Sequence, residues 1–196
     1  MGRVIHAKHM KFRKNYAYID TQNLNLGMRD LGWKLDLRRY RRFLEDKYGV
    51  QKAYMFIGYM PEYEQLYKAF HTADFVVMFK PLSQVSAEGK VKGNIDADLV
   101  LQVMLDYPEF DRALIVTSDG DFQGLVNHLY NTNKLEVLMS PNPRKVSNLL
   151  VSAAREKIAF IEALRDKLEY RPKARRVSLE QPPKNILPKN GVEKGH

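Results

Sequence analysis

Two aspartates one residue apart follow an apolar run in the second half of the chain. Residues 114–126 read LIVTSDGDFQGLV, which puts Asp119 and Asp121 on either side of a glycine. Aspartate is a common helix cap, and Asp121 alone could cap a helix that starts near Phe122. Carboxylates are also the ligands that Mg²⁺ or Mn²⁺ prefers in proteins. The choice between capping and metal binding depends on whether other acids reach the same place.

Three more aspartates lie next to predicted strand or helix ends. Asp20 ends the strand-like run YAYID, and Asp96 and Asp98 fall in the first turn of a helix predicted in NIDADLVLQVMLDY. Asp20 could instead form a local turn with the following TQN, and the other two could complement the dipole of a helix capped by Asn94. That helix is apolar almost all round, which predicts burial, and an unpaired acid in a buried helix is costly.

Strand-like and helix-like patterns alternate between residues 15 and 170. Strands are predicted in YAYID, VQKAYMFIG, DFVVMF, RALIVT and LEVLMS. Helices are predicted from Leu35 to Gly49, after Pro61, after the third and fourth strands, and over about 144–169. The TQNLNLG stretch after the first strand is interpreted as a connection. This order predicts a three-layer α/β/α fold around a central, mainly parallel sheet.

Parallel sheets of this kind place functional groups at the carboxyl ends of their strands. If the first and fourth strands are neighbours, Asp20, Asp119 and Asp121 converge, and Asp96 enters from the helix before the fourth strand. Such a cluster without a cation would raise the pKa values of its carboxyl groups and destabilise the fold. A divalent cation removes that penalty and can promote phosphodiester hydrolysis by activating water and stabilising charge on the reacting oxygens.

The formal charge of +9 is concentrated at the two ends of the chain. Residues 1–14 and residues 171–196 each carry +5, whereas residues 15–170 carry −1. We therefore expect a basic N-terminal arm, one folded domain over residues 15–170 that ends in the long helix, and a basic, proline-containing disordered tail. Basic arms attract phosphate backbones without regard to sequence, although they can equally serve only solubility.

Several classes of protein are disfavoured by composition and motifs. The chain contains no cysteine, which excludes disulfides and thiolate metal sites and fits a reducing compartment. No run approaches the roughly 18 apolar residues of a membrane span, so we expect a cytoplasmic protein without membrane contact. Neither a Walker A sequence nor G-x-G-x-x-G is present, and the five histidines lack metal-ligand spacing. An aspartyl-phosphate enzyme or receiver domain fits poorly, because DTQ after the first strand offers no second acid.

Three segments of the chain resemble, in order, the motifs of NYN domains, the LabA-like branch of the PIN-like nuclease superfamily. The segments are YIDTQNLN, GNIDADLVLQVMLD and LIVTSDGDFQGLVNHL, and the match covers about residues 15–140. The resemblance implies a PIN-like α/β/α fold and a metal-dependent ribonuclease activity that leaves a 5′-phosphate. It further implies Mg²⁺ or Mn²⁺ as the cofactor.

The resemblance also assigns roles to individual positions of this chain. The family's acidic metal-binding positions correspond to Asp20, Asp96, Asp119 and Asp121. Asn23 matches the asparagine beside the first acid, and Ser118 matches the small hydroxyl residue before the acid pair. The shared motif centres on Asp96 rather than on Asp98.

The leading hypothesis is endonucleolytic cleavage of single-stranded or loop RNA by the acid cluster. One or two Mg²⁺ or Mn²⁺ ions would be held by the acids, while Asn23 orients Asp20 or the phosphate and Ser118 donates a hydrogen bond to a phosphate oxygen. Candidate substrate contacts are the basic residues Lys90, Lys92, Arg38, Arg39, Arg41 and Arg42, with Trp33, Tyr59 and Tyr63 for base stacking. The arginine run can equally be a solvated helix face. DNA as a substrate and a homo-oligomeric state stay open.

The alternative hypothesis is a non-catalytic RNA-binding or partner-docking module on the same scaffold. It predicts salt-sensitive binding by the two basic ends and no metal-dependent turnover. Removal of residues 1–14 and 171–196 would then abolish function, whereas the acids would be irrelevant to it. The leading hypothesis predicts metal-dependent RNA cleavage that Asp119→Asn abolishes, whereas the alternative predicts RNA binding without cleavage.

Overall fold

A six-stranded sheet forms the centre of the computed structural model, which describes residues 13–80 and 95–172. Neighbouring strands pair in parallel in the order β3-β2-β1-β4-β5-β6. The strands are β1 (Asn15–Asp20), β2 (Val50–Gly58), β3 (Val76–Lys80), β4 (Ala113–Val116), β5 (Leu135–Ser140) and β6 (Ile158–Phe160). The pairing of β1 with β4 confirms the neighbouring position on which the predicted acid cluster depends.

Seven helices in the described ranges cover the two faces of the sheet. They are α1 (Thr21–Leu31), α2 (Leu37–Tyr48), α3 (Glu64–Thr72), α4 (Ile95–Leu105), α5 (Gln123–Asn131), α6 (Asn148–Ala154) and α7 (Arg165–Leu168). Short 3₁₀ turns lie at Pro61–Tyr63, Gly120–Phe122 and Glu162–Leu164.

Alternation along β1 divides the core into two layers, because successive side chains of a strand point to opposite faces. Ala17 and Ile19 pack with α1, α2, α3 and α7, whereas Tyr16 and Tyr18 pack with α4, α5 and α6. Since β1 is covered on both sides, all six of its residues are buried, which explains its unbroken apolar run. The predicted three-layer α/β/α fold is confirmed.

The stretch interpreted as a connection after the first strand is a helix. Asp20 caps α1 by accepting a hydrogen bond from the Asn23 backbone N–H, and Gly32 ends the helix in the left-handed conformation with φ of 72°. Leu24 and Met28, four residues apart, bury the inner face. The helical period was hard to detect because asparagines and a glycine interrupt the apolar residues of this segment, and one of those, Leu26, is exposed.

The long helix predicted over residues 144–169 does not exist. α6 ends at Ala154, because the next residue, Arg155, has a φ of 51° and a ψ of −123°, which lie outside the helical region. The chain then forms β6, which pairs with β5 from Leu138 opposite Ile158 to Ser140 opposite Phe160. A 3₁₀ turn and the short α7 follow. Apolar residues continue at helical intervals through this segment, but tertiary pairing with the β5 edge overrides that pattern.

The apolar helix α4 is less buried than its sequence predicts. Leu99 and Val103 are buried against the sheet. Leu101 and Leu105, by contrast, are 57% and 63% exposed. The helix packs on one side only, so its apolar character does not mean burial all round.

The last two residues of the predicted N-terminal arm are attached to the folded domain. Lys14 exchanges two hydrogen bonds with Asp111, and Arg13 forms an ion pair of 3.3 Å with Glu136. Residues 1–12 and 173–196 lie outside the described ranges, as do residues 81–94. Within the described ranges, no helix has the length and apolar character needed to cross a bilayer.

Candidate metal centre

The loop that leaves β4 carries two of the predicted acids on one tight turn. Asp119 caps the 3₁₀ turn Gly120–Phe122, because its Oδ1 accepts a hydrogen bond of 3.0 Å from the Asp121 backbone N–H. Phe122 is buried in the core and anchors the end of this turn. The alternative interpretation of Asp121 as a helix cap is therefore wrong, since Asp119 is the cap. The Asp121 carboxylate extends from the turn as an exposed acid.

Three of the four predicted acids form a compact cluster. One carboxylate oxygen from each of Asp96, Asp119 and Asp121 lies within 4.8 Å of the other two. Asp96 comes from the first turn of α4, as predicted. Burial and the charges of Asp119 and Asp121 raise the pKa of Asp96, while the charge of Lys80 opposes the shift. The three side chains thus repel one another unless a cation or protons neutralise them.

Asp20 lies deeper, at the end of β1, and is only 8% exposed. Its two oxygens accept hydrogen bonds from the Asn23 backbone N–H at 3.0 Å and from Thr117 Oγ1 at 3.2 Å. Burial raises the pKa of Asp20 to about 6, and the charges of Asp96 and Asp119 add to this effect. The two hydrogen bonds favour the charged form and limit the shift. Asp20 therefore caps α1 instead of making the predicted turn within a loop, and it also contributes to the electrostatics of the cluster.

Short polar side chains tie the acid-bearing loops together. Thr117 Oγ1 donates to Asp20 and accepts from the Asp119 backbone N–H at 3.1 Å, so one hydroxyl connects two acids. Asn23 Oδ1 accepts from the Ser118 backbone N–H at 2.8 Å. The Ser118 and Ser140 hydroxyls share a hydrogen bond of 2.7 Å. Thr117 was missed in the sequence, where its only signal is its position between the strand and the acid pair.

The other predicted residues lie in different surroundings. Asp98 forms an ion pair of 3.0 Å with Lys80 and is outside the three-acid cluster. Trp33 is buried in the core, which excludes the predicted base stacking by its ring. Tyr59 and Tyr63 are exposed. Lys90 and Lys92 lie outside the described residues.

The arginine run of α2 separates into buried and exposed members. Arg41 is buried, where it forms an ion pair of 3.0 Å with Asp74 and donates to backbone carbonyls, so the predicted contact of Arg41 with substrate is wrong. Arg38, Arg39 and Arg42 are exposed. Their helix packs on the face of the sheet opposite to α4, the helix that carries Asp96.

We expect Asp20 to make the metal-free protein less stable as the pH rises from about 4 to about 6. The folded protein holds a proton on Asp20 up to a pKa of about 6, whereas the ordinary value of 3.8 applies to the unfolded chain. The folded state binds more protons in this window, so raising the pH favours unfolding, by an amount on the order of 3 kcal/mol. Urea unfolding in EDTA should show this loss, and Asp20→Asn should lack it. Parallel pH curves for the two proteins would contradict the expectation.

The fold and the centre together define a class of protein. It is a three-layer α/β/α protein with an acidic cluster at the point where strand order reverses in a parallel sheet. The NYN domain family matches residues 16–162, and the chain belongs to this family. The NYN domain is part of the PIN-like nuclease superfamily.

Solved structures support the fold independently. The chain is similar to a crystal structure of a protein of unknown function from Vibrio parahaemolyticus, with a TM-score of 0.65 and 22% sequence identity. The similarity covers 82% of this chain and 98% of the other. No curated protein matches the sequence.

Proposed function

We propose that the protein is a metal-dependent ribonuclease that cleaves single-stranded or loop RNA internally. The observation that carries the proposal is the convergence of Asp96, Asp119 and Asp121 within 4.8 Å, beside the buried Asp20. Membership of a nuclease superfamily supports phosphodiester hydrolysis as the reaction. The three sequence motifs favour the LabA-like branch of the family.

The acids fit a divalent cation. They offer only carboxylate oxygens, which Mg²⁺ and Mn²⁺ prefer, and neither thiolate nor histidine is among the clustered groups. Burial and mutual repulsion raise the pKa values of Asp20 and Asp96, a penalty that a bound cation would remove. We assign Asp96, Asp119 and Asp121 as ligands, with Asp20 completing the set. When bound, the ion supplies an activated water and neutralises charge that develops on the phosphate.

Residues around the acids hold them in a fixed arrangement. Thr117 orients Asp20 and Asp119 through its single hydroxyl, and Asn23 fixes the loop backbone at Ser118. The side chain of Asn23 therefore acts on the loop at Ser118, while only its backbone N–H contacts Asp20. Ser118 directly precedes Asp119, and we propose that its hydroxyl donates to a phosphate oxygen after it exchanges its hydrogen bond with Ser140 for one with the substrate.

Substrate contacts extend beyond the acids in the proposed complex. We retain Arg38, Arg42, Lys90 and Lys92 as candidate contacts to the RNA backbone, since cations on the protein neutralise phosphates. The exposed rings of Tyr59 and Tyr63 can stack on unpaired bases. Tyr59 is held edge-on to Phe79 at 5.6 Å between ring centroids, which limits its rotation.

Cleavage of end-labelled RNA and DNA tests the proposed function. Single-stranded RNA and DNA are incubated with the purified full chain in Mn²⁺, in Mg²⁺ and in EDTA. We expect cleavage of RNA in the presence of metal and none in EDTA, with products that carry a 5′-phosphate. RNA binding without any cleavage would instead favour the non-catalytic module, and preferential cutting of DNA would change the substrate class.

Asn23→Ala should lower the cleavage rate by about 10-fold to 100-fold, the usual cost of losing a group that orients metal ligands. The substitution removes the hydrogen bond to the Ser118 backbone but leaves the Asn23 backbone N–H on Asp20. The rate at saturating substrate measures the effect, and the midpoint of the Mn²⁺ titration should rise as well. Asn25→Ala, on an exposed position of the same helix, is the matched control and should cleave normally. Equal rates for the Asn23 and Asn25 variants would remove Asn23 from this role.

A further inference from the structure

The loop that follows β5 carries two adjacent cations at the same edge of the sheet as the acids. It reads PNPRKVS over residues 141–147, and Arg144 and Lys145 both reach solvent. β5 is the neighbour of β4, with Val116 opposite Met139, so the loops after these two strands begin about 4.8 Å apart. Neither cation is among the substrate contacts that the sequence predicts.

Hydrogen bonds fix the shape of this loop. Asn142 accepts from the Arg144 backbone N–H through Oδ1 at 2.9 Å and from the Lys145 backbone N–H through its carbonyl at 3.1 Å. The Ser140 hydroxyl lies 3.4 Å from the same Asn142 carbonyl. The two cations are therefore presented on a closed turn.

The loop is also attached directly to the turn that carries the acid pair. The Ser147 backbone N–H donates to the Ser118 carbonyl at 3.1 Å. A Cβ on Gly120, between the two acids, would lie 2.7 Å from Ser147 Oγ, so the two segments touch without room for a side chain. These contacts attach the backbone of the loop that carries Arg144 and Lys145 to the turn that carries Asp119 and Asp121.

The charges of the loop are available to an anion. The Arg144 side chain is 80% exposed and its one ion pair within the described ranges is with Glu162 at 3.2 Å, a surface contact of small energy. Lys145 makes no ion pair with any described residue. Asp30 and Glu162 also border the shallow depression in which the cations lie, so the surface is mixed in sign. The guanidinium and ammonium groups are the donors there, and a phosphate can replace Glu162 as the partner of Arg144.

We propose that Arg144 and Lys145 form a phosphate-binding subsite that holds the RNA backbone next to the scissile bond. This inference rests on the proposed nuclease function, which places the scissile phosphate at Asp96, Asp119 and Asp121. A strand bound there passes over the end of β5, where the subsite takes a neighbouring phosphate. The subsite contacts a phosphate and no base. It therefore fixes the path of the bound strand but does not select its base sequence.

Equilibrium binding of a short fluorescein-labelled oligouridine tests the subsite. Anisotropy is measured with the full chain in EDTA, at several salt concentrations, for the wild type and for Arg144→Ala/Lys145→Ala. We expect affinity to fall about tenfold at low salt. The slope of log K against log salt should shrink by about 0.7 for each phosphate that the variant no longer neutralises. Both side chains lie at the surface, so the variant should fold normally.

A matched control separates the subsite from general charge. Lys47→Ala/Lys68→Ala removes the same number of exposed cations from α2 and α3 and should bind almost as the wild type does. Three results would overturn the proposal. They are equal weakening in both double variants, unchanged binding in the Arg144 and Lys145 variant, and no binding by the wild type. Cleavage in Mn²⁺ is scored separately, so binding with this pattern but without cleavage would refute the nuclease function and leave the subsite standing.

Discussion

Asp119→Asn is expected to abolish metal-dependent cleavage and leave the fold intact. Residues that only orient metal ligands typically contribute 10-fold to 100-fold, so loss of a charged ligand should cost more than about 100-fold. The fold should survive because an asparagine Oδ1 can still accept the hydrogen bond from the Asp121 backbone N–H. Removing one of three clustered negative charges should also leave the metal-free protein at least as stable at neutral pH. Cleavage of labelled RNA in Mn²⁺ measures the loss.

Asp98→Asn is the matched control for this change. Asp98 lies two residues from Asp96 in the same helical turn, but it pairs with Lys80 and is outside the cluster. Its loss should change the cleavage rate only a few-fold. The thermal stabilisation that Mn²⁺ gives the wild type should persist in Asp98→Asn and disappear in Asp119→Asn. Wild-type cleavage by folded Asp119→Asn protein would exclude these acids as the metal centre.

Gly27→Ala should destabilise the protein by about 1–3 kcal/mol, the usual cost of forcing extra volume into a packed contact. Gly27 lies in α1, and an added Cβ would overlap the Pro141 ring, with Cγ at 2.7 Å. Because Pro141 is itself buried, α1 or the loop after β5 has to shift. α1 carries Asn23 and is capped by Asp20, so the cleavage rate should fall as well. Urea unfolding gives the change in the free energy of unfolding.

Gly124→Ala provides the opposite case in another helix. Gly124 lies in the first turn of α5, and an added Cβ would meet nothing within 4 Å. Alanine is a better helix former than glycine, so this variant should be stabilised by about 0.5–1 kcal/mol. The two substitutions are chemically identical, and only the Pro141 contact distinguishes them. Destabilisation of both proteins, or of neither, would show that this contact does not limit the approach of α1 to the loop.

The elements that were predicted correctly are those whose burial on both faces leaves a continuous run of apolar residues in the sequence. β1 and β4 are covered on both faces, so their apolar runs are unbroken and their ends are clear. α1 escaped detection because it buries only a narrow stripe around Leu24 and Met28. β6 was mistaken for part of a helix because no glycine or proline marks the break at Arg155, where the backbone turns. Pairing with β5 is a long-range effect that local sequence does not encode.

The candidate site was predictable to the extent that it follows from topology. Parallel strands bring their carboxyl ends to one edge, so acids at the ends of β1 and β4 had to approach each other once the strands were neighbours. The supporting hydrogen bonds of Thr117 and the cations of the loop after β5 leave no such pattern. Their roles depend on distances between loops, and short polar or basic residues in loops are common. Trp33 shows the reverse case, an aromatic residue with a plausible functional role that packs in the core.

The backbone amides around the cluster make each part of the site separately observable by NMR. Asn23 donates to Asp20, Asp121 donates to Asp119, and Asp119 donates to Thr117, each through its own backbone N–H. Interacting acids titrate together, so a single global measurement reports on the group and not on its members. An amide proton bonded to one carboxylate shifts with the charge of that carboxylate. The Asn23 resonance would therefore follow the buried Asp20, and the Asp121 resonance would separately follow Asp119 in the cluster, as metal ions bind.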